Sequence, residues 1–417
     1  MVSHSAGFPS RLAAQEPESP KYTLQSWEES QAIPVEKVQM EKYPSFFAIF
    51  FTDWQVLEAD DRGLVDLSEG IASQSPSGDL VMARHVFQSD EDGGMDFSIG
   101  YSDEVALFFN GHRVIGERTR EEGSDPSSAG ILDLHEEAQV QVRKGLNEIF
   151  LMVTGKLGAW GFKVQVDQEL SPKTTDHAVT EEVWKTADVF LTPESVLKDP
   201  TREVLYVTNF DVRYASKSEP SGFLSRLSME GEILDLHWVE GLNAPTGMDI
   251  WKDTLFLTER KHLVAIDLET GSIAGRWPIP DPIFPNDLVI DDDGTLYISD
   301  TRSGNPTDSR IYRFREGSFD VFANAGIDRA NGLWIHEGWL IVGNSGDGML
   351  KRVDLATGKI EAILSLGAGI IDGIRVDEEG NLLVSHWEGR VYRISSAGEL
   401  VEILDAGPRR WNTADFE

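Results

Sequence analysis

The chain has 417 residues, enough at roughly 100–200 residues per domain for two or three packed cores, and its 40% hydrophobic content is that of an ordinary soluble protein. No apolar run reaches about 18 residues, so no membrane insertion is expected, and 37 basic against 71 acidic residues give a net charge of −34 that repels phosphate backbones and excludes nucleic acid as a partner. Cysteine is absent, which removes disulfides, thiol nucleophiles, zinc fingers and iron–sulfur clusters.

Residues 1–24 contain Pro9, Pro17 and Pro20 and no apolar core segment, so they read as a disordered tail without an intact signal peptide. Ala13-Ala14-Gln15 is the alternative, as the scar of a clipped export signal. The compartment stays open: soluble, and either cytoplasmic or exported.

Residues 25–168 read as a β-sandwich. Leu80–Phe87 is rich in β-formers, Met95–Gly100 alternates apolar and polar, and Val105–Phe109 runs into Asn110-Gly111, a pair that tolerates the positive φ values of a type I′ hairpin. Lys144-Gly145-Leu146-Asn147 marks another turn, and Trp160–Val166 closes the segment. Many short strands and few helical periods predict two packed antiparallel sheets. Residues 169–185 are polar and aperiodic, and read as a linker.

Residues 186–417 repeat. Pro193-Glu194-Ser195-Val196, Pro245-Thr246-Gly247-Met248, Pro285-Asn286-Asp287-Leu288, Ala330-Asn331-Gly332-Leu333 and Ile371-Asp372-Gly373-Ile374 each precede further strands, and the last four recur at steps of 40, 45 and 41 residues. A period near 40 with four strands per unit predicts a β-propeller. The fold class is therefore all-β, a jelly-roll-like sandwich followed by a propeller. Asp291–Gly294 and Asp377–Gly380 occupy equivalent places and read as inter-strand turns rather than cation loops.

In a propeller the starts of the innermost strands converge on the central channel. Here they carry Glu194, Thr246, Asn286, Asn331 and Asp372. Two carboxylates and two amides are hard oxygen donors without nitrogen or sulfur, a set that suits calcium better than zinc, with another divalent metal as the alternative. Singly, each such residue more often serves a turn backbone.

These motifs resemble the family of senescence marker protein, gluconolactonase and luciferin-regenerating enzyme. The resemblance implies a six-bladed calcium propeller that hydrolyses lactones or, in some relatives, organophosphates. It implies that Glu194, Asn286, Asn331 and Asp372 hold the metal, with Asp372 also the base or nucleophile. Thr246, Phe284 and Asp415 are expected in the substrate pocket. Phe284 departs from the family's lactonases, which often carry an arginine two residues before the third-repeat Asn. Trp411–Glu417 reads as the start of a sixth blade. Either the chain is cut short, or five blades close differently, or another segment completes the ring, with Glu181–Lys185 as the candidate outer strand. The N-terminal segment resembles galactose-binding-like modules through Asn110-Gly111, Lys144–Glu148 and Trp160-Gly161-Phe162, which would bind glycan by stacking on Trp160 unless that ring is core.

Three functions follow as expectations. The first is a calcium-dependent hydrolase of a lactone or related ester, the second a non-catalytic glycan- or protein-binding protein with a structural calcium, and the third a phosphotriesterase-like hydrolase.

Overall fold

Alternating strands of the N-terminal region pair into two sheets packed face to face. The computed structural model describes residues 21–34, 39–40, 42–44, 53–67, 79–102, 104–119, 133–155, 160–211, 221–301, 309–409 and 411–417. One sheet runs in the order Tyr22–Thr23, Gly161–Val166, Gly93–Tyr101, Glu136–Val142, with Val65–Asp66 also on Gly161–Val166. The other runs Trp54–Glu58, Ser26–Ser30, Asp79–Ser89, Gly145–Thr154, Glu104–Phe109, His112–Thr119. Between them lie Trp27, Phe97, Ile99, Leu107, Leu151 and Phe162. Gly145–Thr154 is buried at every residue, because Leu80, Met82, Phe108 and Phe150 form a second cluster on the opposite face. Asn110 and Gly111 have φ of 48° and 75°, as the hairpin reading requires.

The N-terminal boundary moves. Residues 1–20 lie outside the described residues, Ala13-Ala14-Gln15 with them, but Tyr22–Thr23 already pairs with Gln165 and Val166, and Leu24 is buried. Trp160 packs against the sandwich core and Phe162 meets Trp27 edge-on at 4.8 Å, so these rings close the sandwich rather than presenting a stacking face.

The polar linker is not a free tether. Ser171–Pro172 pairs with Phe87 and Gln88 of the sandwich, and Thr174 and Asp176 then exchange backbone hydrogen bonds with Glu402 of the propeller. Glu181–Lys185 forms no strand, so the expected outer strand is not supplied there.

Beyond it the described residues form five four-stranded blades: residues 193–242, 248–278, 285–323, 330–366 and 371–405. Apolar faces of neighbouring blades share cores. Tyr206, Leu224 and Leu255 join blades 1 and 2; Leu263, Leu288 and Tyr312 join 2 and 3; Val289, Leu333 and Leu340 join 3 and 4; Ile341, Ile374 and Tyr392 join 4 and 5. Each fully buried leucine contributes about 1.5–3 kcal/mol to that packing. Asp291–Gly294 and Asp377–Gly380 are equivalent tight turns, each closed by a glycine N–H on the first aspartate's carbonyl.

Blades 5 and 1 are bridged by residues 411–417. Ser385 Oγ donates to the Ala414 carbonyl (2.7 Å) as Thr258 Oγ1 donates to that of Asn286 (2.7 Å). Ser195 Oγ donates to Asp415 Oδ2 at 2.6 Å, tying the segment to blade 1. The segment thus holds the sixth place in the ring, and its register sets Ala414, not Asp415, level with Asn286.

The sandwich joins the propeller at blade 4. Gly145 and Leu146 pair in parallel with Ser365 and Leu366 of that blade's outermost strand, and Leu146 enters the core shared by blades 4 and 5.

Candidate metal centre in the propeller channel

The innermost strands of blades 1, 3, 4 and 5 share an irregularity. Their pairing with the next strand breaks register between Pro193 and Val196, Pro285 and Leu288, Ala330 and Leu333, and Ile371 and Ile374. A bulge re-aims the side chains it carries. The residues inside these four are Glu194-Ser195, Asn286-Asp287, Asn331-Gly332 and Asp372-Gly373. The corresponding strand of blade 2 keeps regular register from Met248 to Trp251.

The bulges need small or backbone-bonded residues at their second position. A Cβ on Gly332 would fall on the Asp372 carbonyl oxygen, and one on Gly373 would lie 2.7 Å from Phe416 Cδ1. Where the second residue is an acid, its carboxylate is used by backbone. Asp287 accepts from the N–H of Leu288 (2.7 Å) and of Leu333 in the next blade (2.7 Å), and Asp415 from Phe416 (2.9 Å).

The first position differs. Asn331 Oδ1 is buried without a hydrogen-bond partner among the described residues. Asp372 is 6% exposed, and neither its carboxylate nor that of Glu194 has a hydrogen-bond donor among those residues. Burial of charge without a donor is costly. Burial, reinforced by Asp415, pushes the Glu194 carboxyl up to about 7. Burial, reinforced by Glu194, Asp415 and Asp287, pushes Asp372 well above the carboxylate range. Asp287 is raised as well, by burial and by Asp415, against the pull of Arg375. Arg375 is the cation of this region, 3.2 Å from Asp415 and 2.6 Å from Glu417, and stacked 5.0 Å from Trp334.

Unspent oxygens, one of them orphaned in the interior, and acids that repel one another fit a hard divalent cation. Among the described residues no three His, Asp or Glu side chains form a metal-binding group by themselves, so the donor set depends on the Asn amides as well as the two acids.

The expected pocket residues separate. Thr246 is buried and its hydroxyl is spent on Thr258 Oγ1 (2.7 Å) and the Pro285 carbonyl (3.2 Å). Phe284 is 38% exposed beside Ile283, its N–H pinned by Asp300 Oδ1 at 2.7 Å. Asp415 is held between Ser195 and Arg375 as a ring-closing tie. Asp287 and Arg375 were not singled out from sequence; an acid directly after the strand-leading Asn is the signal for the first, and none marks the second.

Residues 193–414 match the family model described as SMP-30/Gluconolactonase/LRE-like region, more than half of the chain. Solved structures similar to this chain include regucalcin from Agrobacterium tumefaciens, titled a calcium-binding protein, at 19% identity over 51% of this chain and 75% of that one, with a TM-score of 0.39. Luciferin-regenerating enzyme is similar at 16% identity over 51% and 77%, TM-score 0.40. Virginiamycin B lyase from Staphylococcus aureus is similar at 15% over 50% and 69%, TM-score 0.39. No curated protein matches the chain.

Proposed function

Because the chain belongs to the SMP-30/gluconolactonase/LRE-like family, we propose that its propeller is a calcium-dependent hydrolase of a lactone or related ester. The observation that carries this reading is the set of four bulged strand starts whose leading side chains, Glu194, Asn286, Asn331 and Asp372, accept no hydrogen bond among the described residues. Glu194, Asn286, Asn331 and Asp372 would hold the cation, which when bound supplies a Lewis acid for a carbonyl oxygen.

The chain's own residues account for the rest. Asp372, whose carboxylate accepts no hydrogen bond among the described residues, would be ionised by the bound cation and placed to take the proton of an attacking water. Asp287 accepts backbone N–H groups and Asp415 accepts Ser195 Oγ, bonds that fix the orientation of both carboxylates beside the ligand set. Arg375 holds Asp415 and Glu417 in place beneath them. Ile283 and Phe284 present apolar surface at the rim of the third repeat, which favours a substrate with an apolar flank there.

Thermal unfolding with excess calcium and with chelator, followed by a lactone panel, tests the reading. At 100 times Kd, calcium adds about 2.7 kcal/mol to the native state, a shift of about 2–4 °C in a chain of this size. That shift is expected to vanish in Asn331→Ala, and lactone turnover to fall more than tenfold in Asp372→Asn. Turnover no faster than the uncatalysed reaction would leave the second reading, a glycan- or protein-binding protein with a structural calcium, which the apolar Phe284 at the rim favours. Faster hydrolysis of phosphotriesters than of lactones would assign the phosphotriesterase-like alternative.

A further inference from the structure

The sandwich and the propeller enclose a cavity of about 310 Å³ on the face where the innermost strands begin. Arg329, Ser345 and Ile370 line it from blades 4 and 5; Tyr43, Gly111 and His112 line it from the sandwich. Arg329 stands two residues before Asn331, and Ile370 two before Asp372, so the wall is built from the segments that lead into two of the four strand-leading residues, none of which lines the cavity itself.

Arg329 is the unspent group in this wall. It is exposed and sits in the left-handed region at φ 47°, where a non-glycine residue is strained and where strain gathers at functional sites. Its guanidinium makes one hydrogen bond, Nη2 to the Ser345 carbonyl at 3.3 Å, and among the described residues it has no ion pair within 4 Å. The acids that share the cavity are already matched. Asp347 takes Lys351 Nζ at 2.6 Å, and Glu388 takes Arg390 at 3.0 Å and Arg84 at 3.9 Å. Half-buried Asp328 precedes Arg329 in the chain and forms no ion pair with it within 4 Å, and His112 faces the cavity from the opposite, sandwich wall. In a chain of charge −34, an arginine with no ion pair among the described residues at a cavity wall offers there a donor fork shaped for a planar anion.

We propose that this interdomain cavity binds a negatively charged group, a carboxylate or a phosphate, through Arg329, with His112 of the sandwich closing over it, and that this group belongs to the substrate whose ester lies at the channel. Its role as a substrate subsite rests on the hydrolase reading above; its binding of an anion does not. The polarity of the rim is then displaced by one blade: apolar Phe284 precedes the third-repeat Asn, and cationic Arg329 precedes the fourth.

Calorimetry on the full chain at fixed ionic strength, with glucuronate, inorganic phosphate and glucose as probes, tests the anion site. At least one anion is expected to bind tenfold or more tightly than glucose, the tighter of the two assigning carboxylate or phosphate. Arg329→Gln should weaken it by about 10- to 100-fold, the range of a lost charged hydrogen bond, with Arg329→Lys partly restoring it and His112→Gln costing two- to fivefold. Glucose binding as well as both anions, or Arg329→Gln leaving the affinity unchanged, would overturn the proposal. In turnover assays, Arg329→Gln should raise KM about tenfold for a lactone bearing the preferred anion, with kcat within twofold, and leave the neutral analogue unaltered. Equal effects on the two lactones would overturn the substrate role. Absence of any turnover would sink the hydrolase reading while calorimetry still decides the site.

Discussion

One group of acids lies at the domain interface and another in the propeller channel, and their charges are handled differently. At the domain interface, Glu28, Glu148, Glu388 and Glu402 are matched by Arg84, Arg390 and Lys173. Arg84 Nε meets Glu28 at 2.5 Å, Arg390 meets Glu388 at 3.0 Å, and Lys173 meets Glu402 at 2.9 Å. Arg84 also stacks 4.3 Å from Trp54, and Tyr43 donates to Glu148 at 2.5 Å. Burial raises Glu28, but Arg84 and Arg390 more than reverse it and hold the carboxyl below its ordinary range. In the channel, Glu194, Asp287 and Asp372 are all raised, and Arg375 is engaged by Asp415 and Glu417. The first arrangement sets three acids against three cations, with Glu148 raised by burial and hydrogen-bonded by Tyr43, and glues two domains. The second leaves negative charge unbalanced, which costs stability unless a cation arrives, and so marks the place where chemistry is to be sought.

The contrast can be broken most directly at the interface. Arg84→Met removes the close partner of the half-exposed Glu28 and leaves Glu388 with Arg390 alone, and is expected to cost about 2–3 kcal/mol in urea unfolding, the range of a lost hydrogen bond between charged groups. A loss below about 1 kcal/mol would show that the interface acids do not depend on it. Next in size is a pH effect. His386, 2% exposed beside this network, is pushed down to about 4 by burial, against Glu388 and with Arg390 and Arg84. Because its folded pKa lies below the unfolded value near 6.5, its contribution is complete above pH 6.5 and is lost as pH falls toward 4. Comparing wild type with His386→Asn across that window should show a difference of about 1–3 kcal/mol that appears only at the acid end; parallel curves would remove His386 from the account.

The channel should respond with the opposite sign. Asp372→Asn in chelator is expected to leave stability unchanged or raise it by about 1 kcal/mol, since it removes a repelling charge, and to abolish the calcium-induced shift. A clear loss in chelator would mean that the channel acids are compensated after all. Smallest of all is the surface pair on blade 3, where Arg313 meets Asp320 at 2.8 Å; Arg313→Ala should change the free energy of urea unfolding by no more than about 0.5 kcal/mol.

Much of the fold was legible because it is periodic. The recurrence of Pro-Asn-Asp, Ala-Asn-Gly and Asp-Gly-Ile near every 40 residues marks the starts of the innermost strands, and Asn110-Gly111 marks its hairpin. The strand-leading side chains were readable for the same reason. Their state was not: Thr246 looks equivalent to Asn286 in sequence, yet Thr258 in the adjoining strand consumes its hydroxyl. At Asp415 a one-residue slip changes which face a side chain takes, and only the bond from Ser385 to Ala414 fixes the register. The polar segment 169–185 hid its role because it pairs through backbone, which leaves no apolar pattern. The interface charges escaped because Arg84 and Glu388 are brought together only by docking.

The join at Gly145 sets a condition on modularity. Its φ is 98°, and a Cβ there would fall on the Ser365 carbonyl oxygen. A propeller of this kind therefore could not exchange its sandwich for another module by splicing at the linker alone. The incoming module would have to open one of its own strands with glycine, in parallel to Ser365 and Leu366, or blade 4 would face solvent with an unpaired edge. Two-domain descendants of this architecture are thus expected to keep that glycine even where the rest of the sandwich has been rewritten.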